Sequence, residues 1–201
     1  MKLRASTGFK TWPEDAIAQF EARHAIGSKA RLAFGLLLYT AQRRGDVIRM
    51  RRQHIKDGFI RVAQQKTGTV LEIPIIRELR EILAAHPVGH HLTFLRGRAG
   101  EPFTGVAFTN WFRDRCAEAG LPRGLVAHGL RKAACRRLAE AGCSASQIAA
   151  ISGHATLREI ERYTKAADQK RLATAAMEAV QKDKCRTIKW RTKSRVSQNE
   201  A

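Results

Sequence analysis

Hydrophobic residues recur with helical spacing in most segments of this chain, but in the range Ile55 to Ile75 they take the spacing of strands. In that range Ile60 and Val62 alternate with polar residues, and Asp57-Gly58 is a signal for a tight hairpin. One short stretch with a period of two predicts a single small antiparallel sheet. We therefore expect an α+β fold that is mainly helical.

Helix start and stop signals divide the rest of the chain. Pro13, followed by two acidic residues, starts a first helix that runs to about His24, and Ser28 caps a second helix. Arg43 to Met50 is predicted to form a short helical turn. Further helices are predicted over Ile76 to Ala85, Thr104 to Ala119, His128 to Ala141, Ser144 to Ile151, Thr156 to Tyr163 and Asp168 to about Lys182. The segment His86 to Pro102, rich in Gly, His and Arg, is predicted to be a loop.

The length of the chain fits one domain. A chain of 201 residues that is 44% hydrophobic can bury one full core but not two ordinary ones. We expect this domain over residues 1–181. From Lys182 to Arg195 the charges are dense and the helical period is lost, which predicts a flexible basic tail over residues 182–201.

The charge of the chain predicts a polyanionic partner. Lys and Arg number 37 against 18 Asp and Glu, which gives a formal net charge of +19. Basic side chains that neutralise phosphates release condensed counterions, so nucleic acid is the first candidate and an anionic membrane the second. A ribosome-like or merely soluble basic protein fits the same charge. An RNA-binding protein is disfavoured, because only 6% of the residues are aromatic and no RNA-reading motif is present.

Targeting and metal signals are weak. The longest apolar run, Leu32 to Tyr39, is far too short to span a bilayer, and Met1 to Lys10 carries no secretion signal, so we expect a cytoplasmic protein. The four cysteines lack C-x-x-C spacing, which fits a reducing compartment. The histidines His86, His90 and His91 have no carboxylate or cysteine at ligand spacing, so we interpret them as loop residues and predict no metal.

Six side chains carry the candidate chemistry: Arg43, Lys66, His128, Arg131, His154 and Tyr163. His128 and Arg131 stand at i and i+3, so on a helix they share a face and can reach one phosphate. Lys66 lies at a turn of the predicted sheet, where a long amine can swing into a cleft. The set supplies a phenol nucleophile, two guanidiniums, an ammonium and two imidazoles without a metal cage. These groups suit the attack of a tyrosine on a DNA phosphodiester.

The order of these motifs resembles that of the tyrosine recombinase family, the phage-integrase class of site-specific DNA recombinases. The resemblance covers roughly Ala30 to Lys165 and includes an arginine, a hairpin lysine, H-x-x-R, Gly-His and a tyrosine in sequence. It implies that Tyr163 is the nucleophile, which forms a 3′-phosphotyrosyl link and releases a 5′-hydroxyl. It also implies double-stranded DNA as the partner, a tetramer on paired sites, a bacterial or phage protein associated with the nucleoid, and no metal, ATP or other cofactor.

The resemblance assigns the remaining roles residue by residue. Arg43 and Arg131 would hold the nonbridging oxygens, and Lys66 would protonate the leaving oxygen. His128 and His154 would bind the phosphate or relay the tyrosine proton. The chain begins shortly before the first arginine, so the N-terminal DNA-clamping domain of the family is expected to be missing.

One departure from the family leaves the first arginine open. The family usually has glycine and an apolar residue where Ala41 and Gln42 stand, and glutamate where Asp46 stands. Counting three residues back from Asp46 selects Arg43, with Arg44 as the alternative.

Two other functions remain compatible with the motifs. A type IB topoisomerase-like enzyme resembles this chemistry, although such enzymes usually have lysine at the position of His128. A noncatalytic basic DNA-binding protein could retain the fold without the activity.

Overall fold

The computed structural model describes residues 9–86 and 93–196. Within them the chain forms eight α-helices, one 3₁₀ turn and one sheet. The helices are α1 (Glu14–Arg23), α2 (Lys29–Thr40), α3 (Arg44–Val47), α4 (Arg77–Ala85), α5 (Gly105–Glu118), α6 (Ala127–Glu140), α7 (Ala145–Ser152) and α8 (Leu157–Val196). The strands are β1 (Ile55–Lys56), β2 (Phe59–Ala63) and β3 (Val70–Pro74), and the 3₁₀ turn is Arg52–His54.

The sheet is antiparallel with the order β1-β2-β3. Asp57 and Gly58 connect β1 to β2 with φ angles of 50° and 81°, and two positive φ angles in a two-residue turn match the right-handed twist of the strands. Ile60 pairs with Ile73 across β2 and β3, and both side chains are buried. The predicted small antiparallel sheet and the α+β, mainly helical fold are confirmed.

The core forms around α2, which is buried along most of its length and packs against α4 and α6. Ser28 caps this helix by accepting a hydrogen bond from the backbone of Arg31, as its sequence position predicts. Trp12, near the start of the chain, and Phe112, on α5, join the same core. A second, smaller cluster lies where α6, α7 and α8 meet. This packing places the ends of α2, α6 and α7 close together.

The bounds of three predicted helical segments differ from those observed. The short helical turn expected over Arg43 to Met50 is present as the four-residue α3, Arg44–Val47. The two helices expected after Thr156 form one helix, Leu157–Val196, which continues through the segment expected to lose its helical period. The segment Lys182 to Arg195 contains neither glycine nor proline, so no residue in it stops a helix. The division into a catalytic domain over residues 1–181 and a tail over residues 182–201 stays a prediction.

The segment expected to be a loop has two isolated bridges in its described part. Thr93 pairs with Arg51, and Arg96 pairs with Pro102. His90 and His91 lie outside the described residues. None of the helices in residues 9–86 and 93–196 has both the length and the apolar character needed to cross a lipid bilayer.

Candidate functional site

A cavity of about 460 Å³ opens between the start of α3, the tip of the β2–β3 hairpin, α5 and the N-terminus of α6. Three of the sequence-predicted residues, Arg43, Lys66 and His128, line it together. Arg44 and Arg113 add two further guanidiniums to its wall. The fold therefore concentrates positive charge from three separate elements, α3, the β2–β3 hairpin and α5, around one opening, which suits a phosphate or another anion.

Arg43 is fixed by its position at the start of α3. Its backbone is extended, with φ −70° and ψ 150°, and its Nη1 donates to Oε1 of Gln64 at 3.2 Å. Arg44 is exposed and donates to the hydroxyl of Thr109 on α5. The half-buried position of Arg43 among polar groups favours it over Arg44 as the first arginine of the site.

Arg131 lies deeper than Arg43 and is only 2% exposed. Its Nη1 donates to the carbonyl oxygens of Ala41 and Ser152, each at 2.8 Å. Its Nη2 is buried and has no hydrogen-bond partner among the described residues. Burial, followed by the nearby Arg43 charge, lowers the pKa of Arg131 to about 10, so the guanidinium is still protonated at pH 7. A buried cationic donor without a partner is costly, and an incoming anion would satisfy it.

His154 is oriented by Ser152, the last residue of α7. The Ser152 hydroxyl donates to the carbonyl of Ile148 at 2.7 Å, so it must accept from the Nδ1–H of His154, which also lies at 2.7 Å. This leaves Nε2 of His154 as an acceptor, 4.0 Å from a carboxylate oxygen of Glu159. Burial first, then the charges of Arg131 and Arg43, lower the pKa of His154 to about 4. The ring is therefore neutral at pH 7 and does not form an ion pair with Glu159.

His128 and Lys66 line the cavity from two different elements, α6 and the β2–β3 hairpin. His128 is near the start of α6, and its ring centroid lies 5.0 Å from that of Phe9. Burial, followed by the charges of Arg131 and Lys132, lowers the pKa of His128. Lys66 is exposed at the tip of the β2–β3 hairpin, as the sequence predicts.

Tyr163, like Arg131 and His154, is not among the residues that line the cavity. It lies on α8, is half-buried, and packs against the small cluster that contains Cys135, Ile148 and Ile160. Desolvation raises the pKa of its phenol, although the charge of Arg131 acts in the opposite direction. Three of the six candidates, Arg43, Lys66 and His128, thus line the cavity, and the other three, Arg131, His154 and Tyr163, lie outside its lining.

Two buried glutamines belong to the site although the sequence analysis did not assign them to it. Gln42, noted only as a departure from a family pattern, is fully buried, and Gln64 is 2% exposed. A signal for Gln64 was present: it continues the alternation of Ile60 and Val62, which places it on the buried face of β2. No group of three or more His, Cys, Asp or Glu side chains able to hold a metal ion occurs in the part of the chain that the structure describes.

The backbone angle and the close neighbours of Gly153 explain why the Gly-His pair has a glycine at this position. Its φ is 67°, in the left-handed region, and a Cβ there would lie 2.7 Å from Oε1 of Gln64. We expect Gly153→Ala to lower the free energy of unfolding by about 3 kcal/mol, from backbone strain and from overpacking. Gly142→Ala is the matched control, because Gly142 has a φ of 85° but no neighbour within 4 Å of the added carbon. Urea unfolding of both variants measures the difference, and equal losses would contradict a collision with Gln64.

The low pKa of His154 predicts a pH-dependent stability. The unfolded ring titrates near 6.5 and the folded ring at about 4, so between these values the unfolded state binds more protons. The contribution of the neutral His154 ring to the free energy of unfolding is therefore full above pH 6.5 and is lost as the pH falls toward 4. The total loss is at most about 3 kcal/mol. His154→Asn cannot titrate there, while His128 remains in both proteins. Thermal unfolding at pH 7.5 and pH 5 should therefore show a larger loss for the wild type than for the variant, and parallel losses would exclude this assignment.

Comparison with known proteins gives the chain a family. Residues 14–170 match the Phage integrase family. The chain is 32% identical over 134 residues to the shufflon-specific DNA recombinase of Escherichia coli, which is 65% of this chain and 33% of that protein. It is 28% identical over 158 residues to tyrosine recombinase XerC of Rhodospirillum centenum (strain ATCC 51521 / SW), which is 75% of this chain and 46% of that protein.

Solved structures agree on the fold. The crystal structure of a lambda integrase(75-356) dimer bound to a COC′ core site superposes with a TM-score of 0.67 at 24% identity, over 80% of this chain and 61% of that one. The chain spans about a third to a half of the length of the two curated relatives. Because the family match extends over most of the chain, from α1 into α8, the chain belongs to the phage integrase family.

Proposed function

We propose that this chain is the catalytic part of a site-specific DNA recombinase or integrase, which cleaves and rejoins DNA strands through a 3′-phosphotyrosine without a metal ion or ATP. The observation that carries this proposal is the cavity that Arg43, Lys66 and His128 line together, with Arg131 and His154 held beside it through Ser152. These are the groups that transfer of a phosphoryl group to a phenol requires. Double-stranded DNA is the proposed substrate, and the +19 charge of the chain supports it.

The two arginines are suited to bind the phosphate that reacts. The phosphorus centre gains negative charge as it becomes pentacoordinate, and planar guanidiniums match its oxygens two at a time. Arg131 has a buried Nη2 with no partner among the described residues, so one donor is already available. Because these donors are fixed before DNA arrives, they need little reorganisation during the reaction.

Tyr163 has to be activated before it can attack. A phenol of pKa about 10 is about one part in a thousand ionised at pH 7, which costs about 4 kcal/mol. Burial of Tyr163 in its cluster raises that pKa further. We therefore propose that Tyr163 moves from this cluster to the cavity when DNA binds, where nearby cations favour the phenolate.

Proton transfer completes the proposed cleavage step. The Tyr163 oxygen bonds to phosphorus while the bond from phosphorus to the 5′ oxygen breaks. His154, neutral and with Nε2 free to accept, takes the phenol proton, and Lys66 protonates the departing 5′ oxygen. His128 binds a phosphate oxygen. Attack of another 5′-hydroxyl on the phosphotyrosine reverses these transfers, so strands are exchanged without an external energy source.

The proposal extends to assembly and location. From the family resemblance, we propose a tetramer on paired DNA sites and an association with the nucleoid of a bacterial cell.

The test is a search for the covalent intermediate. The full chain is incubated with nicked duplexes taken from the DNA that flanks its gene, so that cleavage next to the nick traps the adduct. We expect a protein–DNA band that survives a denaturing gel, and a DNA-modified peptide that contains Tyr163. An unrelated nicked duplex of equal length is the control. Tight binding without any adduct would instead identify a noncatalytic DNA-binding protein, and relaxation of supercoiled plasmid without strand exchange would identify a topoisomerase-like enzyme.

A further inference from the structure

We propose that Gln64 is a positioning residue that holds the Arg43 guanidinium and the Lys66 hairpin in register with Arg131. This inference rests on the proposed function, because the register matters for a phosphate that these cations bind. Gln64 lies just beyond β2, is 2% exposed, and does not line the cavity. It therefore acts on the site through its neighbours.

The oxygen of the Gln64 amide contacts the side of the site that faces the cavity. Oε1 accepts from Nη1 of Arg43 at 3.2 Å and from the hydroxyl of Thr67 at 2.8 Å. Thr67 follows Lys66 at the hairpin tip. A single acceptor atom thus fixes both the first arginine and the residue next to the predicted proton donor.

The nitrogen of the same amide contacts the opposite side. Nε2 donates to Oε1 of Gln42 at 2.7 Å and to the carbonyl of Ser152 at 2.9 Å. The Ser152 carbonyl also accepts from Nη1 of Arg131 at 2.8 Å. Gln64 and this one carbonyl therefore connect the two arginines by an unbroken set of hydrogen bonds.

These four bonds use the full capacity of an amide, which has two acceptor sites and two donor hydrogens. They also fix which end of the amide is oxygen, since the guanidinium and hydroxyl can donate to it while the Ser152 carbonyl can only accept. The amide also lies so close to Gly153 that a Cβ at that position would collide with it. Gln64 is thus held in a single orientation.

A neutral amide suits this position better than a carboxylate. The guanidiniums of Arg43 and Arg131 are close enough that the Arg43 charge lowers the pKa of Arg131. An amide oxygen orients Arg43 without cancelling its charge, so both cations stay available to a phosphate. A carboxylate would form an ion pair with Arg43, repel the phosphate, and lose both hydrogen bonds that the Gln64 nitrogen donates.

Gln64→Met tests this role, because methionine fills a similar volume but forms none of the four hydrogen bonds. We expect the single-turnover rate of adduct formation at saturating DNA to fall by about 10²-fold, as expected when reacting groups are misplaced by about 1 Å. The affinity for the same duplex should change far less, since most phosphate contacts lie elsewhere on a strongly basic chain. Gln64→Glu should lower both the rate and the affinity.

Gln42→Met is the matched control for a purely structural effect. Gln42 is fully buried, donates to the carbonyls of Thr40 and Ile151 and accepts one hydrogen bond from Nε2 of Gln64. No hydrogen bond joins it to Arg43, so Gln42→Met removes one bond of the Gln64 nitrogen and leaves both bonds of the Gln64 oxygen, to Arg43 and Thr67, in place. Its replacement should lower the thermal unfolding midpoint about as much as Gln64→Met does and slow adduct formation much less. If the two variants lose rate in proportion to their loss of stability, or if Gln64→Met cleaves as fast as the wild type, the positioning role is wrong.

A second readout separates this inference from the proposed function. Nuclear magnetic resonance of the arginine side chains in the free protein reports how fast the Arg43 guanidinium rotates. We expect slow rotation in the wild type and fast rotation in Gln64→Met, and equal rates would overturn the positioning role. If the wild type forms no adduct but the rotation differs as expected, the proposed cleavage fails while the placement of Arg43 by Gln64 stands.

Discussion

Replacing Tyr163 by phenylalanine is expected to remove the covalent protein–DNA adduct altogether while the chain still binds DNA. The substitution deletes the oxygen that would bond to phosphorus, and no other group replaces a lost nucleophile. We expect at least about a 10³-fold loss of adduct on a nicked duplex, as is usual when a nucleophile is removed. A denaturing gel measures the adduct, and a native gel on the same samples measures binding.

The structure supplies the control for this substitution. The chain has two tyrosines, and Tyr39 on α2 is also half-buried, with a pKa that burial raises. Tyr39→Phe removes the same oxygen from a position away from the cavity and should leave the adduct intact. Neither hydroxyl forms a hydrogen bond with another described side chain, so both variants should stay within about 1 kcal/mol of wild-type stability. If the adduct persists in Tyr163→Phe but disappears in Tyr39→Phe, Tyr39 is the nucleophile and the assignment of Tyr163 is wrong.

The position of Tyr163 could not be read from the sequence. The motif order places it after the Gly-His pair, but the spacing does not say whether the ring faces the cavity or the small cluster on α6 and α7. In the structure the partly buried ring packs against the small cluster that includes Cys135 and Ile160, where burial of apolar surface is favourable. The sequence therefore identified the candidate nucleophile but not where it lies without DNA.

Local signals predicted the fold well because they act over a few residues. The Asp57-Gly58 turn, the Ser28 cap and the alternation along β2 each depend on neighbouring residues only, and each is present in the structure. The predicted end of the last helix, at about Lys182, was wrong for a related reason, since the helix continues to Val196. A dense run of charges suggests a loss of helical structure, but the run contains no glycine or proline that would end a helix.

Contacts between segments that are distant in the sequence could not be predicted from local sequence signals. The hydrogen bonds of Gln64 reach residues 22 and 88 positions away, Gln42 and Ser152. A buried glutamine in a strand pattern indicates that a polar partner exists, but it does not identify that partner. Only the packing of α7 against the sheet shows that the glutamine joins the two arginines.

Arg131→Lys is expected to have the second-largest effect on adduct formation. The guanidinium of Arg131 donates to the carbonyls of Ala41 and Ser152 through one nitrogen and presents the other, Nη2, without a partner among residues 9–86 and 93–196. A lysine ammonium has a single nitrogen, so it cannot hold both carbonyls and also reach a phosphate oxygen with the same geometry. We expect the rate of adduct formation to fall by about 10²- to 10³-fold, as when one fixed donor to a developing charge is removed.

The stability of this variant distinguishes a lost phosphate contact from a damaged fold. Losing one charged hydrogen bond to a buried carbonyl should cost about 2 kcal/mol. Lysine keeps a cation at the same buried position, so the desolvation that lowers the pKa of Arg131 to about 10 does not offset this cost. We therefore expect a lower unfolding midpoint but a protein that is folded at 25 °C, as far-ultraviolet circular dichroism would show.

Arg137→Lys is the control on the same helix. Arg137 lies outside the cavity lining and forms an ion pair with Glu14, which a lysine can retain. It should leave the adduct rate unchanged, whereas Arg131→Lys should lower it while the protein stays folded. If Arg131→Lys forms adduct as fast as the wild type, the unpaired Nη2 is not where the phosphate binds, and the two guanidiniums do not act on one anion.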